Sequence, residues 1–150
     1  MPTLTITQGT TADLNDVLAL LQMSGLSGSA VAGQIASFLI AREEGRIVAV
    51  AGLEDHGAVG LIRSVASHPG WRSRGLATTL VRALIERSRT LGHQAVYLRT
   101  ATAEGYFTRF GFRRVTLEEV MPAVLASGQF RGEECDSTTI MVLEFGAPKP

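Results

Sequence analysis

The sequence predicts an α/β (α+β) fold, a mixed sheet of six to seven strands with helices on both faces. Three observations carry that expectation. Between Phe38 and Ser67, apolar runs of strand length follow one another with turn residues between them. From Gly75 to Leu91, leucines recur at helical spacing. That helix lies between two strand-like runs, so it makes a crossover, and crossovers join parallel strands.

Taken in order, Thr3 to Thr7 alternates, with Leu4 and Ile6 on one side, as a half-buried strand does. Thr10 and Asp13 are spaced as a capping box before Leu14, Val17, Leu18 and Leu21, a helix running to about Met23. Ser24 to Ser29 is a glycine- and serine-rich break, and a shorter helix over Val31 to Ser37 follows. This region reads either as a surface connection or as a wall over a substrate site. Phe38 to Arg42 is a strand, Glu43 to Arg46 a hairpin turn, and Ile47 to Leu53 a strongly apolar strand ended by Glu54-Asp55-His56-Gly57. With Ala58 to Ser67 these strands form an antiparallel meander.

The long helix buries Leu76, Leu80, Leu84 and Leu91, beside Ala77, Val81 and Ile85, and turns Arg82, Glu86, Arg87 and Arg89 to water. Gly92 stops it. Ala95 to Thr100 is a strand, and Thr102 to Phe110 a short helix closed by Gly111. Phe112 to Thr116 is another strand. Thr116 and Glu119 are spaced to cap a further helix, in which Pro122 is tolerated within the first turn. Ser127 to Asp136 is polar and irregular, and Thr138 to Phe145 is the last strand.

A chain of 150 residues, 45% apolar, is expected to form one domain over residues 1–150. Its 14 basic and 14 acidic side chains balance, which argues against a nucleic-acid partner. The one cysteine, Cys135, has no internal disulfide partner, and no CxxC or Cys/His cluster indicates a metal. The N-terminal residues lack the pattern of a signal peptide, and no apolar run has membrane-spanning length, so a cytoplasmic protein without a membrane partner is expected.

The chemistry concentrates after the strand ending at Ser67. Arg72-Ser73-Arg74-Gly75-Leu76-Ala77 fits the pattern Arg/Gln-x-x-Gly-x-Gly/Ala. Gly75 lets backbone approach a pyrophosphate without a Cβ in the way. Ala77 keeps the first helical turn slim. The N–H groups of residues 73 to 78, ending at Thr78, face such a ligand with the helix dipole behind them, and Arg72 and Arg74 add charge.

Three features together resemble the GCN5-related N-acetyltransferase (GNAT) superfamily. They are Arg63-Ser64-Val65-Ala66-Ser67-His68-Pro69, the Arg72-x-x-Gly75-x-Ala77 turn, and Ala103-x-x-Tyr106-Phe107-x-x-x-Gly111-Phe112. The resemblance covers nearly the whole chain. It implies the GNAT acyl-CoA N-acyltransferase fold and acetyl-CoA as cosubstrate, held where the strand ending near Ser67 splays from the strand ending near Thr100. Backbone at Val65, Ala66 and Ser67 then pairs with the pantetheine arm, the N–H near Val65 polarises the acetyl carbonyl, and the phosphates sit on residues 72 to 78. Many relatives dimerise, so a homodimer is a further expectation from the resemblance.

A narrower resemblance is carried by Gly52-Leu53-Glu54, Leu61-Ile62-Arg63-Ser64-Val65-Ala66 and Tyr97-Leu98-Arg99-Thr100-Ala101-Thr102-Ala103-Glu104-x-Tyr106-Phe107. These stretches look like the acetyltransferases associated with arsenic resistance, whose relatives acetylate arsinothricin or phosphinothricin. The implied acceptor is a small-molecule amine. The alternatives are a peptide or protein N-acetyltransferase and a non-catalytic acyl-CoA-binding sensor.

One position departs from the superfamily pattern. Where many members place a tyrosine that protonates the departing thiolate, this chain has Phe107, with Tyr106 beside it. Phe107 is then expected to pack on the cofactor, and Tyr106, a water or the product amine to supply the proton. The amine needs a base, for which Glu54 at the end of its strand is the first candidate and a solvated turn carboxylate its bland reading. His56 and His68 are alternatives, with His68 before Pro69 better suited to shaping the turn. Arg63, between apolar strand residues, is either a structural ion-pair partner or the bidentate partner of an acidic acceptor. Ser64, Thr100 and Thr102 are expected to line the cleft.

Overall fold

The computed structural model describes residues 4–26, 28, 31–71, 75–101, 103–125 and 139–146. Strands are β1 (Leu4–Gln8), β2 (Phe38–Glu43), β3 (Arg46–Asp55), β4 (Val59–Ser67), β5 (Ala95–Thr100), β6 (Arg113–Val115) and β7 (Thr139–Glu144). Helices are α1 (Leu14–Met23), α2 (Val31–Gln34), α3 (Leu76–Thr90), α4 (Glu104–Thr108) and α5 (Pro122–Leu125). The strands form a seven-stranded mixed sheet in the order β1-β2-β3-β4-β5-β7-β6. The α3 crossover makes β4 and β5 parallel, whereas β1/β2, β2/β3, β5/β7 and β6/β7 are antiparallel. The fold class is therefore the one expected.

The chain packs as two compact units, residues 1–54 with 64–84 and residues 55–63 with 85–150. In the first unit, the β2–β3 hairpin closes through Glu44 and Gly45, at φ 51° and 80°. Two consecutive left-handed residues suit the twist of a tight hairpin. The Thr10/Asp13 spacing forms its capping box on a 3₁₀ turn, Thr11–Asp13, that leads into α1, and Thr10 N–H and Oγ1 donate to Asp13 Oδ2 at 2.9 and 3.0 Å. Arg42 Nη2 donates to Asp13 Oδ1 at 2.6 Å, which ties that helix start to β2. The Arg42 hydrogen bond holds the Asp13 carboxyl below its usual range. Val17, Leu20 and Leu21 of α1 pack with Val31, Phe38, Ile40 and Val50 in one apolar core. Gly52 pairs with Phe38 across β2/β3, and a Cβ on it would meet the phenyl ring at 2.8 Å, so the absent side chain makes room for the aromatic.

In the second unit, the parallel ladder joins Val59–Ile62 to Ala95–Leu98, and β7 pairs with β5 from Thr139 to Glu144. Val59, Leu61, Tyr97, Val115 and Val142 form its core with Val120 and Val124. Thr116 N–H donates to Glu119 Oε1 at 3.1 Å, closing the expected capping box over a short 3₁₀ turn, Leu117–Glu119. Pro122 opens α5, where its missing N–H costs nothing.

Three expectations are corrected. β1 is exposed along its whole length rather than half-buried, because it is the sheet's edge and has β2 alone beside it. Leu91 is exposed and lies past the end of α3; the buried stripe of Leu80 and Leu84 continues instead to Ser88. Glu54 is not a solvated turn residue, since β3 runs on to Asp55 and leaves Glu54 only 5% exposed. Among the described residues no helix is long and apolar enough to cross a membrane, and no group of three or more His, Cys, Asp or Glu is placed to hold a metal ion. The polar segment 127–136 lies outside the described residues, and so does Cys135.

Candidate active site

The strand end that precedes the glycine turn has an unusual backbone. Ser64, inside β4, sits at φ 57° in the left-handed region. A left-handed residue within a strand behaves as a bulge: it breaks the alternation and re-aims the backbone groups that follow, here those of Val65, Ala66 and Ser67. Ala66 is buried in the first unit's core, while Ser64, Val65 and Ser67 are half-buried.

Beyond Ser67 the chain is held at several points. His68 N–H donates to Val48 O at 2.8 Å, and Trp71 N–H donates to His68 O at 2.8 Å. His68 Nδ1 accepts from Gly70 N–H at 3.2 Å, and its ring meets Trp71 edge-on at 5.1 Å. Trp71 Nε1 donates to Glu43, and the Arg46 guanidinium lies 5.7 Å from the Trp71 ring. His68 thus shapes the turn, the role its place before Pro69 predicts.

Arg72, Ser73 and Arg74 lie outside the described residues. The description resumes at Gly75, whose φ of 77° requires the glycine, with no heavy atom of the described residues beyond its chain neighbours within 4 Å of where a Cβ would stand. Thr79 N–H and Oγ1 both donate to Gly75 O at 3.0 Å. That is the first i→i−4 bond of the helix, so the amides of Leu76, Ala77 and Thr78 lie at its positive end. A left-handed glycine at the head of a fifteen-residue helix lets backbone come close to an anion there.

The other predicted residues divide between the units. Glu54 belongs to the first, with residues 64–67 and 75–78; Arg63, Thr100, Tyr106 and Phe107 belong to the second. Arg63 is 4% exposed, deep for a cation. Thr100 Oγ1 accepts from Ala103 N–H at 2.9 Å and so helps to start α4. Tyr106 is half-buried, with its ring 5.0 Å from Phe107 and 5.3 Å from Phe110. Phe107 is buried and also meets Phe112 at 6.0 Å. Gly111, at φ 100°, closes this aromatic group. Thr102 lies outside the described residues.

Two features of the second unit were missed in the sequence. The first is a chain of hydrogen bonds in which His93 Nδ1 lies 2.7 Å from Ser88 Oγ and His93 Nε2 2.8 Å from Asp55 Oδ1. The His93 hydrogen bond holds the Asp55 carboxyl below its usual range, with help from Gly57 N–H. Ser88 is 0% exposed, so it cannot meet a substrate. The available signal was a serine at the helical position four after Leu84. The second is Arg99, the β5 residue one step past the end of the parallel ladder. A separate cavity of about 180 Å³, bordered by Tyr97, Arg113, Glu119 and Glu144, includes none of the predicted site residues.

The fold is shared with N-acetylglutamate synthase from Neisseria gonorrhoeae, crystallised with coenzyme A and L-arginine, at a TM-score of 0.79 and 18% identity over 96% of this chain. This chain spans about a third of that protein, 34% of its length. The Mycobacterium tuberculosis protein Rv2747, crystallised with CoA, matches at a TM-score of 0.78 and 20% identity, over 94% of this chain and 99% of its own. The ribosomal-protein-S18-alanine N-acetyltransferase from Escherichia coli matches at 0.75 and 17% identity, over 98% of this chain and 97% of its own. Among curated proteins no sequence matches. The model of the acetyltransferase (GNAT) family matches residues 24–112, which include β4, the glycine turn, α3 and α4. The chain belongs to the acetyltransferase (GNAT) family.

Proposed function

We propose that the chain is a single-domain, acetyl-CoA-dependent N-acetyltransferase that acts on the amine of a small amino acid bearing a second acid group, a phosphinate or arsinate. The observation that carries the reading is Gly75, left-handed and uncovered at the head of α3, eleven residues after the left-handed Ser64 of β4. In this reading residues 72 to 78 hold the phosphates and the backbone of Val65, Ala66 and Ser67 pairs with the pantetheine arm. Phe107 packs on the cofactor.

The neutral amine attacks the thioester carbonyl carbon, and the N–H near Val65 stabilises the developing oxyanion. The new C–N bond forms, the C–S bond breaks, and CoA leaves as thiolate. The amine's proton passes through a water to Glu54, and Tyr106 protonates the thiolate. Ser64, Thr100 and Thr102 hydrogen-bond the acceptor, and Arg63 pairs with its acid group. Glu54 and Arg63 are both buried, which strengthens any charge interaction they make with a bound acceptor.

The test is CoA release from acetyl-CoA with phosphinothricin, arsinothricin, polyamines, common amino acids and a peptide N-terminus. Saturable release with the acidic amino acids supports the reading. Release with the peptide alone points to a protein acetyltransferase, and acetyl-CoA binding without turnover to a sensor.

A further inference from the structure

Glu43 and Arg46 flank the turn of the β2–β3 hairpin as cross-strand partners, and both reach one indole. Trp71 Nε1 donates to the Glu43 carboxylate, and the Arg46 guanidinium lies over the Trp71 ring, 5.7 Å from its centre. An indole has an electropositive N–H edge and electronegative faces, so the carboxylate and the cation each meet the part of the ring that suits them. His68 adds a third contact, its ring perpendicular to the indole at 5.1 Å. The backbone is tied as well, since Trp71 N–H donates to His68 O and His68 N–H to Val48 O, both at 2.8 Å. All of these residues belong to the first unit.

Trp71 is half-buried, and three residues of sequence separate it from Gly75 at the head of α3. Gly75 is fixed in turn by its left-handed φ and by the two bonds that Thr79 donates to its carbonyl. A short connection with both ends fixed has few conformations, so a ligand at the helix head has little ordering left to impose. The bond from the indole to Glu43 is charge-assisted, which makes it the strongest of the side-chain contacts on Trp71.

We infer that Trp71, clamped by Glu43 and Arg46, is a positioning residue for the phosphates of the cosubstrate, and that the end of the β2–β3 hairpin thereby sets acetyl-CoA affinity. The inference rests on the reading of the α3 head as the phosphate seat and adds the hairpin to it. Neither Trp71 nor Glu43 touches the reacting atoms, so the clamp acts on cosubstrate binding and has no part in proton transfer. Charge alone gives the opposite sign: removing a carboxylate from the unit that takes a polyanion tightens binding, whereas loss of the clamp weakens it.

The experiment is equilibrium binding of acetyl-CoA and of 3′-phospho-ADP, the nucleotide half of CoA. It is run on wild type, Trp71→Phe, Glu43→Ala, Glu43→Gln, the Trp71→Phe/Glu43→Ala double variant and Gly75→Val, each checked for folding by its urea midpoint. Trp71→Phe keeps an aromatic ring and loses the N–H, and it weakens acetyl-CoA about tenfold, as does Glu43→Ala. The double variant loses no more than the larger single loss, because both changes break one bond. Glu43→Gln removes the same charge as Glu43→Ala but keeps an acceptor oxygen, and it stays within about threefold of wild type. 3′-phospho-ADP loses by the same factor as acetyl-CoA in each variant. Wild-type affinity or tighter binding in Glu43→Ala overturns the clamp, as do losses that add in the double variant, or a loss for acetyl-CoA that 3′-phospho-ADP does not share. Unchanged acetyl-CoA binding in Gly75→Val, or no binding of 3′-phospho-ADP by wild type, overturns the phosphate-seat reading instead.

Discussion

His93 Nε2 lies 2.8 Å from the exposed Asp55 carboxylate, while its other ring nitrogen lies 2.7 Å from the fully buried Ser88 hydroxyl. The imidazole thus ties the end of β3, the last turn of α3 and the approach to β5 into one hydrogen-bonded unit. The carboxylate of Asp55 accepts from the ring nitrogen that faces it, and the other ring nitrogen shares a hydrogen bond with the Ser88 hydroxyl. The His93→Ala variant leaves the buried Ser88 hydroxyl without this partner and opens a cavity, so it should lose about 2 kcal/mol in urea unfolding. Ser88→Ala removes donor and volume together and should lose about 1 kcal/mol. Acetyl-CoA affinity should stay at the wild-type level in both, because neither side chain belongs to the proposed cofactor site.

Acid should weaken the fold through Asp13 and Asp55. Hydrogen bonds from Arg42 and His93, respectively, are the main reason both carboxyls are held below their usual range. A depressed carboxyl binds fewer protons folded than unfolded, so its stabilisation is present above the unfolded value of about 4 and is lost as pH falls through the lower folded value. Unfolding free energy should therefore drop as the solution is taken below about pH 4. Asp13→Asn should flatten that drop and lower stability at neutral pH by about 1 kcal/mol, as measured by urea titrations across the acid range.

Gly52→Ala should destabilise the first unit by about 1–3 kcal/mol, since the new methyl meets the buried Phe38 ring at 2.8 Å. A double variant that also replaces Phe38 by leucine should suffer less from the added methyl than the sum of the single changes, a coupling that a double-mutant cycle reads directly.

Ser64 offers a test of backbone strain. Its φ of 57° suits glycine better than any branched residue. Ser64→Gly should be neutral or stabilising, by up to about 1 kcal/mol, and Ser64→Val should cost more than about 1 kcal/mol. Acetyl-CoA affinity in Ser64→Val should fall as well, because the backbone of Val65 to Ser67 is aimed by the residue before it.

Much of the fold was legible because local chemistry and tertiary structure agree. The crossover α3 makes and the Thr10/Asp13 capping box are written in spacing, and the structure carries them as read; the α3 stripe follows its spacing through Leu80, Leu84 and Ile85 and stops before Leu91. Leu4 and Ile6 misled because alternation reports a strand without reporting whether anything covers it; an edge position leaves both exposed. Glu54 reads from sequence either as a strand end or as a solvated turn carboxylate beside Asp55-His56-Gly57, and the burial of β3 up to Glu54 itself leaves the strand end. At the site, Gly75 declares itself by its motif. The Asp55–His93–Ser88 chain does not, because it joins residues far apart in sequence, and only side-chain geometry brings its partners together.

The most direct test of the acetyltransferase reading is a calorimetric titration of acetyl-CoA into wild type and Gly75→Val, followed by CoA release with the amine panel. Wild type should bind acetyl-CoA saturably and release CoA with at least one small amine. Gly75→Val, whose side chain fills the open space over a left-handed position, should bind at least about tenfold more weakly while staying folded. Wild type that neither binds acetyl-CoA saturably nor releases CoA with any amine would contradict the account.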